Sequence, residues 1–268
     1  MTHHGDLVMP EGAFNKAIQF AVSGQMILAG KLATQVSAYS RDYAQHSAFL
    51  QNFANKTTFI YPPVELPAPQ PEEAVRWKHE LGLENQLIVG FAGRFVHEKG
   101  FDFLLQAMPL IAEAIPNIHF LFAGEHQIDY EDFYSTCLPL IEQNKARLTF
   151  LGLLRDPQKL ANFYRMCDVF TLPSRTDCLA MVQIEALLAG TPLVTTDIPG
   201  ARVVVQETGF GKLVAPQNHR ALAEGIIEVI RNKSAYQVQR AEVENIFSVA
   251  KIIDLYAQTL SNMTKSNP

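Results

Sequence analysis

Four ionisable residues in two short stretches are spaced for binding chemistry. The stretch GRFVHEKG, 93–100, sets Arg94 and Lys99 in a loop bounded by glycines. A guanidinium offers a planar fork of donors and an ammonium a point charge, the two usual ways of holding phosphate oxygens. The glycines let the backbone turn sharply and approach a ligand closely. Taken alone, the same residues also fit solvated charges in a turn, and His97 and Glu98 between them read as solvated. The stretch LPSRTDCLAMVQIEALLAG, 172–190, sets Asp177 and Glu185 eight positions apart. An acid at 185, between Ile184 and Ala186, is costly to bury unless it is paired or hydrogen-bonded. Hydroxyl donors from a ribose would satisfy it. Asp177 also fits as an acid drawn to the positive end of a helix dipole, a reading that suits Glu185 poorly.

The elements that must position these residues follow from the apolar pattern. Continuous apolar runs stand at 87–93, 118–124, 147–152, 168–174, 191–197 and 211–215. Runs without alternation mark strands covered on both faces. Between them lie amphipathic segments at 101–115, 157–167, 181–189 and 219–231; in the first, Phe101, Leu104, Leu105, Met108, Ile111 and Ile115 share one helical face. Strand–helix–strand units of this length predict an α/β fold with a doubly wound, parallel, Rossmann-like sheet. In such a sheet, ligands bind at the carboxyl ends of the strands, where both charged stretches fall.

The flanks differ. Residues 1–65 carry a helical pattern at 12–33, a strand at 35–40, a short helix to about 53 and a strand at 57–61, an incomplete α/β unit. Five prolines within 62–71 predict an extended connector. The sheet domain is expected over 66–240. Helices at 235–247 and 248–262 place a C-terminal helix in 241–268 that packs back toward the N-terminal unit.

Composition narrows the function. The chain has 268 residues, 48% hydrophobic and 18% charged, with a net charge of -5. That balance argues against a general nucleic-acid binder. Cys137, Cys167 and Cys178 form no C-x-x-C pair, so reduced thiols are expected. Neither a signal peptide nor a run long enough to span a bilayer is visible, which suggests a cytoplasmic protein, with attachment at the inner membrane face only where an acceptor is a lipid. No G-x-G-x-x-G follows a strand, and GFGK at 209–212 lacks P-loop spacing, which disfavours dinucleotide and P-loop chemistry. A phosphorylase is disfavoured because no lysine stands in a recognisable context for a pyridoxal cofactor.

Taken in order, GRFVHEKG, RLTFLGLLRDPQKLANFYRMCDVFTLPS, DCLAMVQIE and EALLAGTPLVTTDIPGARVVVQETGFGKLV resemble the C-terminal half of a family-4 retaining glycosyltransferase of the two-Rossmann-domain (GT-B) architecture. The resemblance implies a nucleotide-diphosphate-sugar donor of the UDP or GDP type and no further cofactor or metal. It implies that Arg94 and Lys99 hold the diphosphate, that Glu185 binds the ribose, and that Asp177 faces the donor sugar. The backbone of Cys178, Leu179, Ala180 and Met181 would approach sugar and diphosphate, and Gly152 and Leu153 would lie beside the base. His4, in THHGDLVMP, would correspond to a histidine near the donor sugar on the acceptor side. Two departures are visible: Asp177 stands where the family usually has Glu, and Cys178-Leu179-Ala180 replaces its Gly-Phe-Gly. The acceptor, a glycan, a lipid or a small molecule, is not specified. The acceptor-side domain looks truncated, so a partner chain completing it is expected, and a binding module inactive on its own is the alternative reading.

Overall fold

The computed structural model describes residues 1–7 and 12–265. Its contacts divide it into two compact units, Met1–Pro63 with Phe247–Pro268, and Val64–Ile246. The sheet unit thus ends after Ile246, not after residue 240. Arg240 is the reason, because it donates to the Leu188 carbonyl at 2.7 Å and the Leu66 carbonyl at 2.9 Å and so ties the last helix of the unit to its start.

In the smaller unit, α1 (Ala13–Leu32) precedes β1 (Val36–Ala38), two helical turns α2 (Arg41–Ala44) and α3 (Ala48–Gln51), and β2 (Thr57–Phe59). The strands pair in parallel, and Thr2 bridges to Ser37 on β1. The helix expected to run to about 53 is broken because Ser47 caps a new turn, its hydroxyl accepting from the Leu50 amide. The first residues are held by His3, whose ring stacks on Phe49 at 4.7 Å and reaches Asp6 at 3.1 Å. Val8–Pro10 of the THHGDLVMP stretch lie outside the described residues.

The larger unit runs α4 (Pro71–Glu80), β3 (Leu87–Ala92), α5 (Phe101–Ala114), β4 (Ile118–Ala123), α6 (Phe133–Thr136), α7 (Leu138–Asn144), β5 (Leu148–Gly152), α8 (Pro157–Met166), β6 (Val169–Leu172), α9 (Met181–Leu188), β7 (Leu193–Thr196), α10 (Val203–Thr208), β8 (Gly211–Val214), α11 (His219–Arg231) and α12 (Arg240–Ile246). Helix α13 (Val249–Lys265) belongs to the smaller unit. The connector is extended only as far as Gln70. Pro71 then opens α4, where a missing N–H costs nothing, with Glu72 and Glu73 in the first turn and Lys78 and His79 in the last.

All six strands of the large sheet are parallel, in the order β5-β4-β3-β6-β7-β8. Ile88, Val89 and Phe91 of β3 are fully buried, as expected for a strand covered on both faces. Helix α5 packs on α11 and α7, while α8 packs on α4 and α9. The chain moves outward from β3 through β4 to β5, then returns to pair β6 with β3. The reversal leaves a crevice between the carboxyl ends of β3 and β6. No helix among the described residues is long and apolar enough to cross a membrane.

Candidate functional site

The loop after β3 and the loop after β6 meet at that crevice. Phe95 and Val96, each 1% exposed, pin the first loop from beneath. Phe95 packs edge-on to Phe101 at 5.0 Å and to Phe150 at 5.6 Å. Burying one such ring is worth roughly 1.5–3 kcal/mol, enough to fix the charged residues on either side. A 3-10 turn over His97–Lys99 then leads into Gly100, at φ 64. A Cβ there would fall 2.1 Å from the Pro173 carbonyl oxygen, so only glycine lets the two loops touch.

Arg175 ties the loops from the other side. Its backbone N–H donates to the Glu98 carbonyl at 2.7 Å and its guanidinium to the His97 carbonyl at 2.7 Å. The same guanidinium grips Asp102 with two bonds of 2.8 and 2.7 Å and lies 4.1 Å from the centre of the Phe103 ring. The sequence reading missed Arg175, whose only local sign is a charge directly after an apolar strand and Pro-Ser.

The assembled loops bring Lys99 to Asp177. The ammonium lies 2.8 Å from Oδ2, which also accepts from the Ser174 hydroxyl at 3.3 Å. Burial disfavours the Lys99 charge, but the nearby Asp177, and after it Glu98, outweigh this and hold its pKa above the ordinary value. Arg94 is half exposed; it pairs with Glu98 at 3.1 Å and donates to the Tyr130 hydroxyl. Glu98 therefore partners both cations, at 3.1 Å from Arg94 and 3.8 Å from Lys99. The expectation of a merely solvated residue is corrected: the 3-10 turn folds its carboxylate back over the loop. His97 is anchored too, its N–H donating to Glu131 at 2.8 Å.

Glu185 sits in the second turn of α9, half-buried. The Tyr164 hydroxyl on α8 donates to its Oε2 at 2.7 Å. Burial raises the Glu185 pKa, and the Tyr164 hydrogen bond partly offsets the rise. Helices α5 and α9 both begin at the crevice without a side-chain cap, whereas Asp156 caps α8 and Asn218 caps α11. Their first amides thus add to the positive character of the cradle.

Around Asp177, Leu179 and Ala180 turn inward, 3% and 5% exposed, while Met181 is exposed. Burial and the neighbouring Asp177 push the Cys178 thiol up to about 11, so it stays protonated at neutral pH. Gly200, at φ 82, presses on the same loop: a Cβ there would lie 2.3 Å from the Asp177 carbonyl oxygen. Gly152 ends β5 at φ 69, accepts from the Gly124 N–H at 2.9 Å, and leaves Leu153 exposed. His4 lies in the smaller unit, exposed, with Nδ1 at 2.5 Å from the Tyr39 hydroxyl. The structure thus brings Arg94, Lys99, Glu98 and Asp177 together at one switch point, with Glu185 on the helix that follows.

This fold, a six-stranded parallel sheet with flanking helices and a charged crevice at its reversal, is that of GT-B glycosyltransferases. A family model described as glycosyl transferases group 1 matches residues 73–245, and the chain belongs to that family. It is 28% identical over 200 residues to alpha-galactosylglucosyldiacylglycerol synthase from Streptococcus pneumoniae, covering 74% of this chain and 49% of that protein. It is 31% identical over 180 residues to the capsular polysaccharide biosynthesis glycosyltransferase CapM from Staphylococcus aureus, covering 63% of this chain and 44% of CapM. Among solved structures, sucrose-phosphate synthase from Thermosynechococcus elongatus superposes with a TM-score of 0.82 at 24% identity, over 99% of this chain and 68% of that one. HepE from Anabaena, solved in complex with UDP-glucose, superposes with a TM-score of 0.80 at 26% identity, over 97% of this chain and 71% of HepE. The chain spans about half the length of the curated relatives it matches.

Proposed function

We propose that the crevice binds a nucleotide-diphosphate-sugar, of UDP or GDP type, and that the chain contributes the donor side of a sugar transfer with retention of configuration. The observation that carries this reading is the meeting of Lys99 and Asp177 at the switch point, with Arg94 on the same loop. Arg94 and Lys99 hold the diphosphate and neutralise the charge that grows on it as the sugar departs. Each charge-assisted hydrogen bond there is worth roughly 1.5–3 kcal/mol. Asp177 faces the sugar, Glu185 takes the ribose hydroxyls, the backbone of Cys178, Leu179, Ala180 and Met181 lies along sugar and diphosphate, and Gly152 and Leu153 flank the base. Support for a UDP-type donor comes from HepE, a relative in fold solved with UDP and with UDP-glucose.

The acceptor, a glycan, lipid or small molecule, is held by further polypeptide, with His4 on that side. Two observations support a chain that needs such completion. The match covers only 49% and 40% of two curated relatives, and α1 leaves Phe14, Phe20 and Leu32 more than three-quarters exposed. A donor-binding module without turnover of its own is the second reading that the same observations favour.

Calorimetric titration with UDP and with GDP, wild type beside Arg94→Ala, tests the donor site. Saturable binding of one nucleotide, weakened at least ten-fold in the variant, is expected. Equal affinity in both proteins would remove the cradle assignment.

A further inference from the structure

Tyr164 is fully buried, its ring packed against Phe163 and Phe170 at 5.2 Å each. Phenylalanine would fill that space equally well, and a hydroxyl with no access to water must be paired. Its partner is a carboxylate, Glu185 Oε2 at 2.7 Å. A purely structural hydroxyl is more cheaply satisfied by a neutral carbonyl, since drawing an ionised acid inward carries a desolvation cost. Glu185 accordingly has its pKa raised by burial. Its other oxygen, Oε1, has no hydrogen-bond partner among the described residues. One oxygen is therefore fixed by a donor from the interior, while Glu185 as a residue remains partly exposed.

We propose that Tyr164 is a positioning residue for the donor. Its hydroxyl locks the Glu185 rotamer and occupies one oxygen, so that the free oxygen is presented to the ribose hydroxyls of the nucleotide. This rests on the reading of Glu185 as the ribose acceptor. The hydroxyl cannot touch the ligand from full burial; it acts through Glu185 alone. It also favours the ionised acid, because a donor to a carboxylate stabilises the charged form.

The test compares wild type, Tyr164→Phe, Glu185→Gln and the double variant. Each is titrated with the nucleoside diphosphate the wild type binds, UDP or GDP, and with its 2′,3′-dideoxy analogue, over a pH series. The Phe variant should lose about ten-fold in ribonucleotide affinity, as expected for one charge-assisted bond, with little change for the dideoxy analogue. Its affinity should also begin to fall at a higher pH than in wild type as the solution is acidified, because Glu185 protonates more readily. In the Glu185→Gln background, Tyr164→Phe should add nothing. The Glu185 carboxyl resonance, followed by carbon NMR without ligand, should titrate at higher pH in the Phe variant.

Equal losses for both nucleotides, with an unmoved pH profile, would make Tyr164 a packing residue and overturn the proposal. Wild-type chain that binds neither UDP nor GDP would overturn the donor-site reading itself, and this inference with it.

Discussion

Lys99 Nζ and Asp177 Oδ2 lie 2.8 Å apart across the sheet's reversal, although 78 positions separate them in the chain. The side chain of Asp177 is only 6% exposed and that of Lys99 only 19%, so neither is well hydrated and each depends on the other. Lys99→Ala should therefore do two things: remove a diphosphate contact and leave a buried carboxylate unpaired. Asp177→Asn separates them. With its acid neutralised, Lys99 is freer for phosphate, and nucleoside-diphosphate affinity should stay equal to wild type or rise a few-fold, while Lys99→Ala loses binding. Calorimetry on the two variants side by side checks this; a loss of binding in Asp177→Asn as severe as in Lys99→Ala would argue that Asp177 itself holds the nucleotide.

Glu98 competes with any incoming anion for both cations. Because Arg94 and Glu98 are both substantially exposed, their pair contributes at most about 1 kcal/mol to stability. Glu98→Gln should thus leave the thermal midpoint nearly unchanged and tighten nucleoside-diphosphate binding several-fold, more at low salt than at high salt. Weaker binding in this variant would mean that Glu98 organises the loop instead of screening it.

Arg175 joins both loops through Asp102, His97 and Glu98. Arg175→Gln removes the fork and leaves Asp102, 8% exposed, without its cation. Loss of about 2–4 kcal/mol in urea unfolding is expected, from a largely buried ion pair broken on one side. Nucleotide affinity should fall with it, since the Lys99 loop loses its anchor. A stable variant with normal affinity would show that Gly100 and Phe95 hold the loop unaided.

What the sequence revealed, and what it hid, follow from the range of the interactions. The six strands were legible because each is a continuous apolar run, and the large helices because their faces repeat at helical spacing. Arg94, Lys99, Asp177 and Glu185 were legible because charge beside glycine, or charge within an apolar helix, stands out locally. Tyr164 and Arg175 were not, since they reach Glu185 and Asp102 over 21 and 73 positions, and only the fold makes them neighbours. Glu98 was misread because its hold on Arg94 depends on a 3-10 turn. Helices α6 and α7 went unseen because they are short, and Pro139 near the start of α7 looks like a breaker.

Gly100 and Gly152 offer a matched pair for measuring how closely the two site loops must approach. Both have positive φ, 64 and 69, so replacing either with alanine costs about 1–2 kcal/mol for the left-handed backbone. The surroundings differ. Nothing lies within 4 Å of a Cβ on Gly152, whereas one on Gly100 would sit 2.1 Å from the Pro173 carbonyl oxygen, a backbone atom that cannot swing aside. Gly152→Ala should therefore fold with only that modest loss. Gly100→Ala must push the Lys99 loop away from the Asp177 loop, so it should be clearly less stable than Gly152→Ala in urea and lose nucleotide affinity by at least ten-fold. Equal stability and equal affinity in the two variants would show that the loops can separate without consequence, and that their contact at Pro173 is not what brings Lys99 to Asp177.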